Sequence, residues 1–138
     1  MPEDATQADI GAEIYRLVCS TCHGDKGQGL TDEWRQTLDP ANQNCWQSKC
    51  HASNYPVDGF ALPHYVPPVV GPAFTTKFKT AADVNLFIRT AMPYQVPGTL
   101  LPSEYWQLTA YLLTINGYQL EKTILDESTG QQLLLHPS

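Results

Sequence analysis

The sequence predicts an all-α domain, mostly helical, broken by a long irregular proline-rich insertion and ending in a small β-hairpin. Three observations carry this. Apolar residues recur at helical spacing in residues 10–18, 81–91 and 103–116. Prolines 56, 63, 67, 68 and 72, with Pro40 upstream, fix φ and restrain their predecessors, so the middle of the chain should be extended and irregular. The 138 residues suffice for one domain and are too few for two ordinary ones.

Composition excludes several classes. Eight Lys and Arg against 14 Asp and Glu give a formal charge of −6, the wrong sign for a nucleic-acid binder. Charged residues are 16% and hydrophobic ones 42%, which favours a folded chain over a disordered one. No apolar stretch approaches the roughly 20 residues needed to span a bilayer. Met1-Pro2-Glu3-Asp4 has neither a basic n-region nor an apolar h-region. The expectation is therefore a cytosolic chain or a mature or engineered N-terminus, and the cysteines favour the latter.

The first helix carries Ile10, Ile14, Leu17 and Val18 and leads into Cys19-Ser20-Thr21-Cys22-His23. This C-x-x-C-H pattern reads as c-type haem attachment. Two thiols form thioethers with the two vinyl groups on one porphyrin edge, and the next imidazole turns beneath the iron. A thioredoxin-like pair would need a βαβ context; half a zinc site or a disulfide are the other readings. Gly24, Gly27 and Gly29 follow, where they can end the helix and let backbone pass close to a flat ligand.

The second helix, residues 81–91, carries Val84, Leu86, Phe87 and Ile88 and delivers Met92-Pro93. Met92 is the only internal methionine, held past a helix end where it could cap the open face of a haem. Its other reading is a gap-filling core residue. In the third helix Ser103 is the candidate N-cap, Glu104 lies in the first turn, and Gly117 ends the run. Tyr105, Leu108, Leu112 and Ile115 share one face, broadened by Trp106, Ala110 and Leu113, and read as packing. Residues 123–135 read as the hairpin, turning at 126–130, or as a loosely attached tail.

The chain resembles the class I c-type cytochromes over about residues 10–116. The resemblance rests on Cys19-Ser20-Thr21-Cys22-His23-Gly24, Gly71-Pro72, Met92-Pro93 and the C-terminal helix. It implies a single cytochrome c-like domain over 1–138: core 10–30 and 70–117, insertion 31–69, C-terminal extension 118–138. It also implies His23 and Met92 as axial ligands, with the Pro72 carbonyl accepting the His23 Nδ1–H. The terminal helices should cross with Gly11 or Ala12 against Tyr111 or Leu108.

The insertion departs from the family. It holds Cys45-Trp46-Gln47-Ser48-Lys49-Cys50-His51, a C-x4-C-H pattern of a kind found in some small multihaem cytochromes. Cys45 and Cys50 could hold a second haem c, with His51 proximal and His64 distal. Alternatively they form a disulfide, or join His51 and His64 around zinc. His136, near the chain end, is a reserve ligand. Trp34, Trp46, Tyr55 and Phe60 would line a haem pocket. The expected function is electron transfer by a dihaem c-type cytochrome, not an enzyme. The rivals are a monohaem carrier with a Cys45–Cys50 disulfide and a haem subunit of a dihaem oxidoreductase. Redox proteins with a basic docking patch are the expected partners. No nucleic acid and no membrane span are expected, although an N-terminal anchor could have been lost. Haem c maturation implies a periplasmic or extracellular site.

Overall fold

The computed structural model describes residues 5–38, 40, 43–46, 51, 60, 62, 66–94, 96–120 and 123–135. Helix α1 (Gln7–Ile14) starts at Thr6, whose hydroxyl accepts the Asp9 N–H at 3.1 Å while the Asp9 carboxylate accepts the Thr6 N–H at 3.0 Å. It continues through a π-helical turn, Tyr15–Cys19, into the short helix α2 (Ser20–His23). The wider i→i+5 turn changes the angle at which the following side chains leave the axis, and it falls on the first cysteine. After α3 (Asp32–Arg35) come α4 (Pro72–Thr75), α5 (Ala81–Ala91), α6 (Pro102–Ile115) and α7 (Glu127–Gln132).

Two of these elements differ from expectation. Helix α6 begins one residue before Ser103. Pro102 takes the first helical position, where its fixed φ fits and its missing N–H is not needed. Glu104 accepts the Leu101 N–H at 2.8 Å, which closes that end. Residues 123–135 contain a short helix, Glu127–Gln132, rather than a hairpin. The Asp126 carboxylate accepts the Ser128 and Thr129 N–H groups, both at 2.9 Å, and this N-cap nucleates α7. The only β pairing among the described residues is an isolated bridge between Thr80 and Leu134. Nor is this segment loose: Leu125 and Leu135 are buried. Gln7 exchanges two hydrogen bonds with the Leu125 backbone, at 3.0 and 2.7 Å.

The core sits where α1 and α5 pack on α6. At the α1–α6 crossing Gly11 lies on the Gln107 backbone, so that a Cβ there would collide with the Gln107 carbonyl and stand 2.9 Å from the Tyr111 Cβ. The expected small-against-aromatic contact is thus Gly11 with Tyr111. Tyr15 meets Tyr111 with ring centroids 5.2 Å apart. Val84 and Leu113 have no exposed surface, and burying each contributes about 1.5–3 kcal/mol. On α5, Val84 and Ile88 face inward, whereas Leu86 and Phe87 remain half exposed. No helix among the described residues is long and apolar enough to cross a membrane.

Candidate haem centre

The two-helix run from α1 to α2 carries Cys19, Cys22 and His23 to one wall of an apolar cavity of about 320 Å3. Met92, the C-cap of α5, lines the same cavity. The cavity is walled by Tyr15, Phe74, Phe78, Ile88, Leu108 and Leu112, among others. The C-terminal helix face read as mere packing is therefore also cavity wall: Tyr105, Leu108 and Leu112 contribute to both.

The geometry of His23 fixes what it can do. Its Nδ1 lies 2.9 Å from the Pro67 carbonyl oxygen. A carbonyl only accepts, so Nδ1 carries the proton and Nε2 is left with the lone pair that binds metal. Burial lowers the affinity of the imidazole for a second proton, and the Pro67 hydrogen bond opposes this only in part. The neutral ring is the ligating form. Burial, reinforced by nearby Cys22, pushes the Cys19 thiol up to about 12. Cys22 is also raised, by burial and then by Cys45. Both stay thiols at neutral pH.

Pro67 replaces Pro72 as the partner of His23. Pro72 is the first residue of α4, and its own carbonyl accepts the Thr76 N–H at 3.1 Å and the Thr76 hydroxyl at 2.6 Å. The glycines explain how Pro67 gets there. Leu30 N–H donates to Val66 O at 3.2 Å and Val69 N–H to Gly27 O at 2.7 Å, pairing the glycine loop with the proline segment. Gly29, at φ +90°, would put a Cβ 2.9 Å from the Val66 carbonyl. The close approach this glycine makes among the described residues is to the backbone of the proline segment.

Met92 is held by its backbone. Its N–H donates to Ile88 O at 2.9 Å, and its carbonyl accepts the hydroxyl of buried Tyr105 at 2.7 Å. That anchor was not read from the sequence; a hydroxyl-bearing aromatic on an otherwise apolar helix face was its only signal. A second anchor holds the cysteine turn, where the Trp34 indole N–H donates to Thr21 O at 3.0 Å. Trp34, Trp46 and Phe60 are not among the described residues that line the cavity; from the insertion Leu62, Val66, Pro67, Pro68 and Val69 are. Tyr55 lies outside the described residues.

The insertion is partly described. His51 Nδ1 lies 3.0 Å from the Phe60 carbonyl, the same arrangement as His23 with Pro67, which leaves the lone pair on its Nε2. His51 N–H donates to Cys45 O at 3.1 Å and its carbonyl accepts from Leu62 N–H at 2.9 Å. The His51 ring packs on Phe60 with centroids 4.5 Å apart, and Phe60 packs on Tyr94 at 5.9 Å. Arg35 lies over the Trp46 ring at 5.2 Å, with its Nε buried and lacking a hydrogen-bond partner among the described residues. Cys50, His64 and His136 lie outside the described residues. Among the described residues no three His, Cys, Asp or Glu side chains group as a metal site.

Thiols, a lone-pair imidazole and a thioether thus meet at one apolar cavity, a donor set that fits an iron porphyrin bound through two thioethers. A family model described as "Cytochrome C oxidase, cbb3-type, subunit III" matches residues 6–112, and the chain belongs to that family. It is a c-type cytochrome domain of class I, with the haem c and the electron-transfer role that such a domain implies. Among solved structures, the chain is similar to one described as the sulfane dehydrogenase SoxCD from Paracoccus pantotrophus, with a TM-score of 0.51 and 20% identity. The likeness covers 94% of this chain and 53% of that one, so this chain spans about half its length, and it is a likeness of fold. A search of curated proteins finds no match.

Proposed function

We propose that the chain carries electrons through a haem held by Cys19 and Cys22, with His23 and Met92 as axial ligands. The observation that carries this is the convergence of all four side chains on one apolar cavity. Bound there, the haem supplies reversible one-electron chemistry at a six-coordinate iron. The residues do the rest. Pro67 fixes the His23 tautomer and makes Nε2 a stronger donor. Tyr105 fixes the strand of backbone bearing Met92. Phe74, Phe78, Ile88, Leu108 and Leu112 exclude water, so the ligands keep their places in both oxidation states. The test is the mass of the matured protein. Changing Cys19 and Cys22 to Ser should abolish covalent haem at this site, and an unchanged haem content would refute the assignment.

The reading extends to a second haem at Cys45, Cys50 and His51, with His64 as its sixth ligand. Its support is the His51–Phe60 hydrogen bond, which presents Nε2 as His23 does. The competing reading is a monohaem carrier with a Cys45–Cys50 disulfide. Pyridine haemochrome titration against protein concentration separates them. Two haems per chain, falling to one on Cys50→Ser, is the expected result, and one haem in the unaltered chain refutes it. The domain organisation follows: core 10–30 and 70–117, insertion 31–69 and extension 118–138.

The charge of −6 supports a redox partner with a basic patch, and haem c maturation supports a periplasmic or extracellular site. Carbon monoxide and cyanide binding distinguish a six-coordinate carrier, which resists both, from a haem subunit with an open iron in an oxidoreductase. The second alternative draws on the fold likeness to a chain of a dehydrogenase.

A further inference from the structure

A haem carries two carboxylates as well as its iron, and a cavity built from aromatic and aliphatic side chains gives them no place to ionise. The polar tips along this cavity are few. The Tyr15 hydroxyl donates to Gly24 O at 2.7 Å and the Tyr105 hydroxyl to Met92 O at 2.7 Å, so both are committed. Cys19, Cys22, His23 and Met92 are the proposed attachment and ligand groups. Two tips remain, the half-exposed Tyr94 hydroxyl and the ammonium of Lys77. Among the described residues lining the cavity, Lys77 is the one Lys or Arg. It follows α4 between Phe74 and Phe78, whose rings pack at 5.1 Å and are both buried. Lys77 itself is exposed. Its stem can therefore run along the apolar wall while its ammonium stays wet at the cavity mouth. No carboxylate or carbonyl lies within hydrogen-bond reach of that ammonium among the described residues.

We propose that Lys77 is the carboxylate-binding residue of this haem site: its ammonium marks the end of the cavity where the haem propionates emerge and pairs with them there. The inference rests on the haem centre proposed above. A cation beside the porphyrin edge also disfavours the ferric state, whose net charge is one unit more positive, so Lys77 holds the potential up.

The test uses the matured holoprotein with Lys77→Gln, Lys77→Glu and Lys77→Arg. Lys77 is exposed, so none of these disturbs the core. Covalent haem per chain is measured first by mass. The propionate bending mode in the resonance Raman spectrum should shift in Lys77→Gln and return in Lys77→Arg. At low salt the ferric-to-ferrous ratio at a fixed potential should rise up to about fivefold in Lys77→Gln, the size of a surface ion pair. It should rise further in Lys77→Glu, and both effects should shrink at high salt. A haem-loaded protein whose Raman mode and midpoint ignore Lys77→Gln and Lys77→Glu overturns the role of Lys77 alone. An unaltered chain without covalent haem overturns the haem centre and, with it, this role.

Discussion

Replacing Tyr105 by Phe removes one oxygen atom from the wall of the proposed haem cavity and leaves its shape intact. The lost group donates to the Met92 carbonyl at 2.7 Å from a side chain only 3% exposed. A neutral hydrogen bond of this kind contributes about 0.5–1.5 kcal/mol net. The carbonyl keeps a weaker contact, from the Gly98 N–H at 3.4 Å, so the penalty for an orphaned acceptor is avoided; the Leu100 N–H loses only a long 3.4 Å bond to the same hydroxyl, and about 1 kcal/mol is the central value. That bond holds the segment bearing the proposed sixth ligand, so its loss acts on the equilibrium in which Met92 leaves the iron. Each 1.4 kcal/mol is tenfold, giving an open fraction raised about fivefold within a two- to twelvefold range. An external ligand binds only the open form, and its apparent dissociation constant falls in inverse proportion to that fraction. Imidazole titration of the ferric protein, followed in the visible spectrum, reads this directly. The reasoning fails if Tyr105→Phe loses global stability in urea yet binds imidazole no more tightly than the unaltered protein.

Gly11→Ala tests the helix crossing. The added methyl meets the Gln107 carbonyl, which is backbone and cannot step aside. Overpacking costs about 1–3 kcal/mol, here near the upper end because the obstacle is backbone, and the helix-propensity gain returns up to about 1, so urea unfolding should show a loss of about 2–3 kcal/mol. Equal or higher stability would contradict the crossing described. Asp126 gives a pH dependence. The Thr129 N–H, with help from the Thr129 hydroxyl and the Ser128 N–H, holds its carboxyl below the usual carboxylate range. A carboxylate depressed in the folded state contributes stability fully above its unfolded pKa, and that contribution is lost as pH falls through the folded value. Asp126→Asn keeps an acceptor oxygen but no charge. Its melting temperature should lie below that of the unaltered protein near neutrality, with the gap closing below about pH 3–4. A gap constant with pH would exclude the charge as the cause.

Much of the site was legible because its chemistry is local. C-x-x-C-H places two thiols and an imidazole within one helical turn whatever the rest of the chain does. The single internal methionine, following a helix end, left few alternatives for a thioether donor. Apolar spacing gave α1, α5 and α6 because burial on one face imposes the 3.6-residue period. Misreadings occurred where a short-range signal competed with another. Ser103 is a good N-cap residue, but Pro102 and Glu104 together start the helix earlier. Residues 126–130 contain turn formers, and the same Asp126 and Thr129 that suggest a turn also cap a helix.

The sequence by itself determined the class of chemistry, the attachment residues proposed for it and the all-helical framework, since each follows from residue type and spacing along a few turns. Only tertiary structure decided which of several prolines meets His23, because a carbonyl acceptor is present at every residue and carries no side-chain signature. The same holds for Tyr105 reaching Met92 across 13 residues and Trp34 reaching Thr21. Such contacts depend on where the chain returns in space, and that is set by how Gly29 lets the proline segment settle against the turn that carries His23.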